Sequence, residues 1–183
     1  DKIAFLRTAL HLGGLIGLDR VLSRRPPGAI LMLHRVRPAR DDSFQPNRGL
    51  EITPGFLDEL LRAFRAAGVN RLSIGIQSFN AAHLKALGRI HDDGEARAAI
   101  AIAREHFDNF NLDLMYGLPG QSAAEALADV ETAVTFAPPH LSVYHLTLEP
   151  NTYFHRYPPQ LPDDDVTAQM QEALEARLAG AGY

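Results

Sequence analysis

The sequence contains no cysteine among its 183 residues. This absence excludes disulfides, a thiol nucleophile and any iron–sulfur site held by thiolates of this chain, and it fits a reducing compartment. A net positive charge is also absent, because 18 lysines and arginines stand against 22 aspartates and glutamates, which gives a net charge of −4 and a pI of about 6.0. We therefore expect no general attraction to nucleic acid or to an anionic membrane. No apolar run reaches the roughly 20 residues of a membrane-spanning helix, and we expect a cytoplasmic protein.

Catalytic and metal-binding side chains do not form sequence motifs either. The eight histidines are scattered without the spacing of a metal site, which needs convergent ligands. Ser78 and Ser122 have no neighbouring base in the sequence, so a serine nucleophile is unsupported. We therefore predict no catalytic residue and no metal ligand in this chain.

The most informative stretch is residues 111–121, Asn-Leu-Asp-Leu-Met-Tyr-Gly-Leu-Pro-Gly-Gln. Its alternation of apolar and other residues predicts a strand with two different faces. Gly117, Pro119 and Gly120 end that strand, and Ser122 with Glu125 forms a capping box that opens a helix. Such turns lie at the carboxyl ends of parallel strands, where ligands bind. Asp113 lies within the strand and is a candidate site residue, although a carboxylate on a wet strand face is the simpler alternative.

Similar strand–helix units precede and follow this stretch. Parallel strands are predicted at residues 70–76, 111–116 and 141–148, and helices at residues 53–67, 81–88, 93–107, 123–136 and 163–179. An N-terminal helix at residues 2–23, a short strand at residues 29–36 and a loop at residues 37–48 come before them. We therefore predict an α/β fold with an open parallel sheet, because three units are too few to close a barrel.

Several phrases from about residue 64 to residue 183 resemble the radical SAM proteins of the oxygen-independent coproporphyrinogen III oxidase-like family. They include Arg-Leu-Ser-Ile-Gly-Ile-Gln-Ser-Phe at residues 71–79, Leu-Gly-Arg-Ile-His at 87–91, Leu-Met-Tyr-Gly-Leu-Pro-Gly-Gln at 114–121 and Leu-Glu-Pro-Asn-Thr at 148–152. The last two phrases look more like the haem-chaperone branch of that family than the oxidase. The resemblance implies part of a TIM-like radical SAM barrel.

The resemblance also implies a cofactor site. Gln77, Arg89 and Asp113 match positions that contact S-adenosylmethionine in that family. An aspartate suits ribose hydroxyls or an amino group, and an arginine suits the methionine carboxylate. The family's CxxxCxxC loop for an Fe–S cluster is absent, as are its glycine-rich strand, an acidic ligand and its later strands. The expectation is a fragment or fusion that is inactive alone and cannot bind the cluster.

The N-terminal third resembles a different family, the polysaccharide deacetylases. The similar phrases lie at residues 30–38, 44–48 and 50–58, although the Asp-Asp and His-x-x-x-His elements of that family are absent. The expected division is therefore a deacetylase-like piece at residues 1–52 and a partial radical SAM barrel at residues 53–183. This division describes a junction of two unrelated pieces.

Three functions remain open at this point. The first is a radical SAM fragment related to haem or porphyrin chemistry, and the second is a deacetylase-like carbohydrate hydrolase. The third is a fusion product without catalysis. Haem or porphyrin is a partner by resemblance only. Open sheet edges predict self-association, because unpaired strands invite pairing with another copy.

Overall fold

Strands are interspersed with helices along the chain in the computed structural model, which describes residues 35–36, 51–89 and 93–183. The described strands are β1 (Arg35–Val36), β2 (Glu51–Ile52), β3 (Leu72–Gln77), β4 (Phe110–Tyr116) and β5 (His140–His145). The described helices are α1 (Pro54–Ala66), α2 (Ala81–Ala86), α3 (Asp93–His106), α4 (Ala123–Thr135), α5 (Tyr153–Arg156) and α6 (Asp164–Gly180). Among the described residues, no helix has the length and apolar character needed to span a bilayer.

The strands β3, β4 and β5 form one parallel sheet with β4 in the centre. Ile74 pairs with Leu112, and Leu114 pairs with Val143, so the strands run side by side in close register. Within the described residues, β3 and β5 each pair with a strand on one side only. The predicted open parallel sheet is confirmed. A second, two-stranded parallel sheet joins β1 to β2.

One face of the three-stranded sheet carries the hydrophobic core. Alternate residues of β4 are fully buried on this face, because the side-chain period of a strand is two residues. Apolar residues of α3, α4 and α6 pack against them, and the cluster includes Leu112, Leu114, Ile100, Val130 and Met170. The opposite face of the sheet therefore carries the intervening, more polar residues.

Two helices begin at the side-chain caps that the sequence predicts. The Thr53 hydroxyl accepts a hydrogen bond from the Phe56 amide at 3.1 Å, with Pro54 at the first helical position of α1. Ser122 and Glu125 form the predicted capping box of α4. Both helix starts are confirmed, because capping depends only on residues within one turn.

Replacing Ser122 by alanine is expected to reduce the free energy of unfolding by about 1 kcal/mol. The Ser122 hydroxyl accepts from the Glu125 amide and donates to the Glu125 carboxylate, and the alanine variant loses both bonds. Hydrogen bonds from Ser122 also lower the pKa of Glu125. Urea unfolding monitored by circular dichroism measures the change. Ser122→Asp, which retains a capping oxygen, should stay close to the unaltered protein, and equal losses in both variants would contradict the capping role.

Four features of the described chain differ from the predictions. Strand β3 spans Leu72–Gln77 rather than residues 70–76. Strand β5 ends at His145 rather than at residue 148, although the Leu146 amide still donates to the Tyr116 carbonyl at 3.0 Å. The short helix α5 and the strand β2 were not predicted from the sequence. The N-terminal helix at residues 2–23, the loop at residues 37–48 and most of the strand at residues 29–36 lie outside the described residues.

Candidate functional site

A polar network crosses all three strands on the sheet face opposite the core. Asn111 lies at its centre and is only 2% exposed. Its Nδ2 donates to Ser73 Oγ at 2.9 Å, and its Oδ1 accepts from Ser142 Oγ at 3.1 Å. Ser73 comes from β3, Asn111 from β4 and Ser142 from β5. We call these three residues, together with Asp113, the polar face.

Asp113 is the charged member of the polar face. Its Oδ2 accepts a hydrogen bond from Ser73 Oγ at 2.9 Å, and its Oδ1 accepts from Asn111 Nδ2 at 2.7 Å. The carboxylate is half-buried and is held from two directions. Each carboxylate oxygen can accept more than one hydrogen bond, so Asp113 retains acceptor capacity for a donor group on a ligand.

Gln77 lies at the carboxyl end of β3 and pairs with Leu114, the residue after Asp113. Its backbone has a φ of 69°, an uncommon conformation for a residue other than glycine. The Gln77 side chain covers Gly75, because a Cβ atom added to Gly75 would lie 2.8 Å from Gln77 Nε2. Gly75 in turn pairs with Asp113 in the sheet. The structure therefore brings two of the three predicted cofactor residues to the same part of the sheet.

Arg89 is placed differently. It follows α2 at the surface, where its backbone amide donates to the Leu84 carbonyl at 2.8 Å. Its side chain is exposed, and across the described ranges the structure gives no hydrogen bond or ion pair between Arg89 and Gln77 or Asp113. The predicted site of Gln77, Arg89 and Asp113 stays a prediction.

The glycine-rich turn after β4 is closed by a buried amide. Gln121 is 3% exposed, and its Oε1 accepts a hydrogen bond from the Leu118 backbone at 3.1 Å. The Gly120 amide donates to the Gln160 carbonyl at 3.2 Å. At the strand end, burial raises the pKa of Tyr116, with a smaller contribution from the charge of Glu175. The turn predicted from glycine and proline is therefore a fixed structure rather than an open loop.

Sequence reasoning did not single out Ser142 or Asn111 as site residues. The available signal was the alternation in β3, β4 and β5, which puts Ser73, Asn111 and Ser142 on the faces opposite the apolar residues. Strand register then decides which of these polar residues meet. A sequence without contact information does not specify that register.

A second buried polar group lies on the core side, at the turn after β3. Ser78 Oγ donates to Asp129 Oδ2 at 2.6 Å, and the Phe79 amide donates to Asp129 Oδ1 at 2.7 Å. Burial raises the pKa of Asp129 against the opposing effect of these hydrogen bonds. His83, also buried, lies near this carboxylate and has Nε2 3.5 Å from Glu125 Oε1. Ser78 is fully buried, so this Ser–Asp–His group is a structural clamp and not a nucleophilic site.

Comparisons with known proteins place the chain in a family. The sequence pattern of the radical SAM superfamily matches residues 32–133, more than half of the chain. The chain belongs to the radical SAM superfamily. This match begins at residue 32, so it includes residues of the predicted deacetylase-like piece. The deacetylase resemblance and the domain boundary at residue 52 stay predictions.

Within the radical SAM superfamily, the chain is similar to proteins named heme chaperone HemW. It is 47% identical over 136 residues to the protein from Haemophilus influenzae and 48% identical over 136 residues to that from Escherichia coli. Each alignment covers 73% of this chain and 36% of the relative. The HemW of Lactococcus lactis is 36% identical over 188 residues, an alignment that covers 100% of this chain and 48% of the relative. The chain thus spans between a third and a half of the length of these relatives.

A solved structure supports the same assignment. Coproporphyrinogen III oxidase (HemN) from Escherichia coli, described as a radical SAM enzyme, matches with a TM-score of 0.62 and 29% sequence identity. The match covers 69% of this chain and 30% of the HemN chain. The predicted membership of the coproporphyrinogen oxidase-like, haem-chaperone group of radical SAM proteins is confirmed.

Proposed function

We propose that this chain forms part of a haem-chaperone-type radical SAM barrel and supplies polar contacts to S-adenosylmethionine. The observation that carries the proposal is the geometry of Asp113, a half-buried carboxylate held by Ser73 and Asn111 on the polar face. A carboxylate fixed in this way is preorganised to accept hydrogen bonds from ribose hydroxyls or from an ammonium group. Preorganisation reduces the entropic cost of binding.

Gln77 and Arg89 have secondary roles in this proposal. The Gln77 amide lies over Gly75, next to Asp113, and offers both a donor and an acceptor to a ligand edge. Arg89 is exposed, so its guanidinium must reorient to pair with the ligand carboxylate. Ordering a long side chain costs free energy, so Arg89 should contribute less than Asp113.

The residues present do not fit an Fe–S cluster. The chain has no cysteine, and the clusters of this superfamily are held by thiolates. By family resemblance, the cluster also binds the amino and carboxylate groups of S-adenosylmethionine. We therefore propose that the chain alone is inactive in radical chemistry and binds the ligand through its own side chains only.

Haem or a porphyrin is the proposed binding partner of the protein whose barrel includes this chain. The support is the name heme chaperone carried by the relatives and the name coproporphyrinogen III oxidase carried by the structural match. Self-association is a further proposal, supported by the single-sided pairing of β3 and β5 within the described strands.

We expect weak binding of S-adenosylmethionine in a titration of isotope-labelled protein that is monitored by NMR. We expect a Kd above about 1 mM, equivalent to about −4 kcal/mol or weaker, because only part of the ligand surface is contacted. The amide signals of Gly75, Gln77 and Asp113 should shift. Asp113→Asn keeps the side-chain size and removes the charge, so it should abolish these shifts.

Glu172→Gln is the matched control, since it removes an exposed carboxylate from α6 on the other side of the sheet. The control should bind as the unaltered protein does. Shifts that persist in Asp113→Asn would contradict the proposed contact. Micromolar binding that Asp113→Asn abolishes would support the contact but refute the proposal that this chain alone has an incomplete site.

A further inference from the structure

Three side chains able to bind a metal converge on the surface between α1 and α3. Asp58 lies in the first half of α1, and Glu105 and His106 are the last two residues of α3. One potential ligand atom from each of the three lies within 4.8 Å of the others. None of these residues belongs to the polar face.

His106 and Asp58 make the closest approach in this group. His106 Nε2 lies 2.6 Å from Asp58 Oδ1, and the two side chains are 15% and 32% exposed respectively. Each of these atoms can accept a proton, so a shared proton must lie between them at this distance. A metal cation can take the place of that proton, because a neutral imidazole nitrogen and a carboxylate oxygen are both metal ligands.

The remaining groups position the site and set its charge. Arg62 donates to the other oxygen of Asp58 at 2.6 Å, which orients Asp58 Oδ1 toward the imidazole. The Arg62 charge offsets that of Asp58, so the exposed Glu105 leaves a net negative charge for a cation. The ligands of a tetrahedral zinc ion lie about 3.3 Å apart. Glu105 therefore closes from a separation of at most 4.8 Å, a small movement that an exposed glutamate side chain can make, while His106 Nε2 and Asp58 Oδ1 open slightly from 2.6 Å.

We propose that Asp58, Glu105 and His106 form a binding site for a divalent cation of the zinc class, with solvent completing the coordination. Nitrogen and carboxylate ligands favour zinc, cobalt or nickel over calcium or magnesium, which prefer oxygen ligands alone. A bound cation would strengthen the link between α1 and α3 that the Asp58–His106 contact already makes. No sequence motif marks this site, because Asp58 and His106 are 48 residues apart.

Cobalt titration of the untagged protein tests the site directly. Co²⁺ bound by nitrogen and oxygen ligands produces visible absorption, and Zn²⁺ added afterwards should displace it. We expect one equivalent of Co²⁺ to bind. His106→Gln should weaken binding at least about tenfold, since even the loss of a group that only orients a ligand costs about that much. Glu105→Gln should weaken it to a smaller extent.

His155→Gln is the matched control, because His155 is an exposed histidine on α5 whose ring has no part in the group. It should bind Co²⁺ as the unaltered protein does. Zn²⁺ should raise the Tm of the unaltered protein and of His155→Gln by an amount that grows with the logarithm of its concentration, but not that of His106→Gln.

Two results would overturn the proposal. One is the absence of Co²⁺ absorption at millimolar metal. The other is binding of several equivalents that neither His106→Gln nor Glu105→Gln weakens, which would show adventitious surface binding only. Glu105 is exposed, so Glu105→Gln should fold. Its effect on Co²⁺ binding therefore tests the proposed site even where His106→Gln is unstable.

Discussion

Replacing Asp129 by alanine is expected to lower the free energy of unfolding by about 2–6 kcal/mol. Asp129 is 4% exposed and accepts hydrogen bonds from Ser78 Oγ and from the Phe79 amide. The alanine variant leaves both donors without their acceptor in a buried environment, and each unsatisfied donor costs about 1–3 kcal/mol. Urea unfolding monitored by tyrosine fluorescence and by circular dichroism measures the loss.

Asp129→Asn is the matched variant, because it keeps the size and one acceptor oxygen. That oxygen can accept from the Phe79 amide, while the new amide group can donate to Ser78 Oγ. We therefore expect Asp129→Asn to retain most of the stability at neutral pH. Equal destabilisation of the alanine and asparagine variants would contradict the role given to these two hydrogen bonds.

The pH dependence of stability provides a second test of Asp129. Burial raises the pKa of Asp129 above the ordinary aspartate value, so the folded state holds this proton to a higher pH than the unfolded state. Protonated Asp129 therefore contributes to the free energy of unfolding in full at pH values below the ordinary aspartate pKa. This contribution is lost as the pH rises through the raised pKa of the folded state. The free energy of unfolding of Asp129→Asn, relative to that of the unaltered protein, should therefore increase over that pH range. A difference between the two proteins that does not change with pH would contradict the raised pKa of Asp129.

Replacing Gly117 by alanine is expected to destabilise the protein by about 2–4 kcal/mol. Gly117 has a φ of 69°, which costs an L-residue about 1–2 kcal/mol. A Cβ atom there would also lie 2.7 Å from His145 Cδ2 and 2.9 Å from His145 Nε2. The His145 ring, whose centroid lies 5.3 Å from that of Tyr116, must then shift. Overpacking costs about 1–3 kcal/mol in a packed core, and the lower part of that range applies here because the His145 side chain is exposed.

Gly120→Ala separates the two costs at Gly117. Gly120 has nearly the same φ, 68°, but a Cβ atom there meets nothing within 4 Å. Gly120→Ala should therefore show only the backbone cost, about 1–2 kcal/mol. Adding His145→Ala to Gly117→Ala should recover the excess. Equal unfolding free energies for Gly117→Ala and Gly120→Ala would show that the contact with His145 is unimportant.

Local sequence signals specify the starts of helices more closely than the ends of strands. Thr53 and Ser122 start α1 and α4 as predicted, because each cap bonds to an amide only three residues away. Strand β5 stops before its predicted end, at His145, because β4, the strand that it pairs with, ends at Tyr116. The end of β5 thus depends on a neighbouring strand and not on the composition of β5.

The candidate site was predictable only in part, for the same reason. Asp113 stood out as a carboxylate within a strand, and the resemblance added Gln77 and Arg89. Which groups surround Asp113 depends on the pairing of β4 with both of its neighbours, and Ser73 is 40 residues away in the sequence. The polar face therefore could not be assembled from any one segment.

The sequence by itself determined the type and order of the strand–helix units, their capped starts and the absence of thiolate ligands. These properties depend on residue identity and on interactions within about one helical turn or one strand repeat. The tertiary structure alone decided that Ser78 meets Asp129, 51 residues away, and that Asp58 meets His106, 48 residues away. Such contacts require the register of the sheet and the packing of helices from separate units, which no short stretch of sequence encodes.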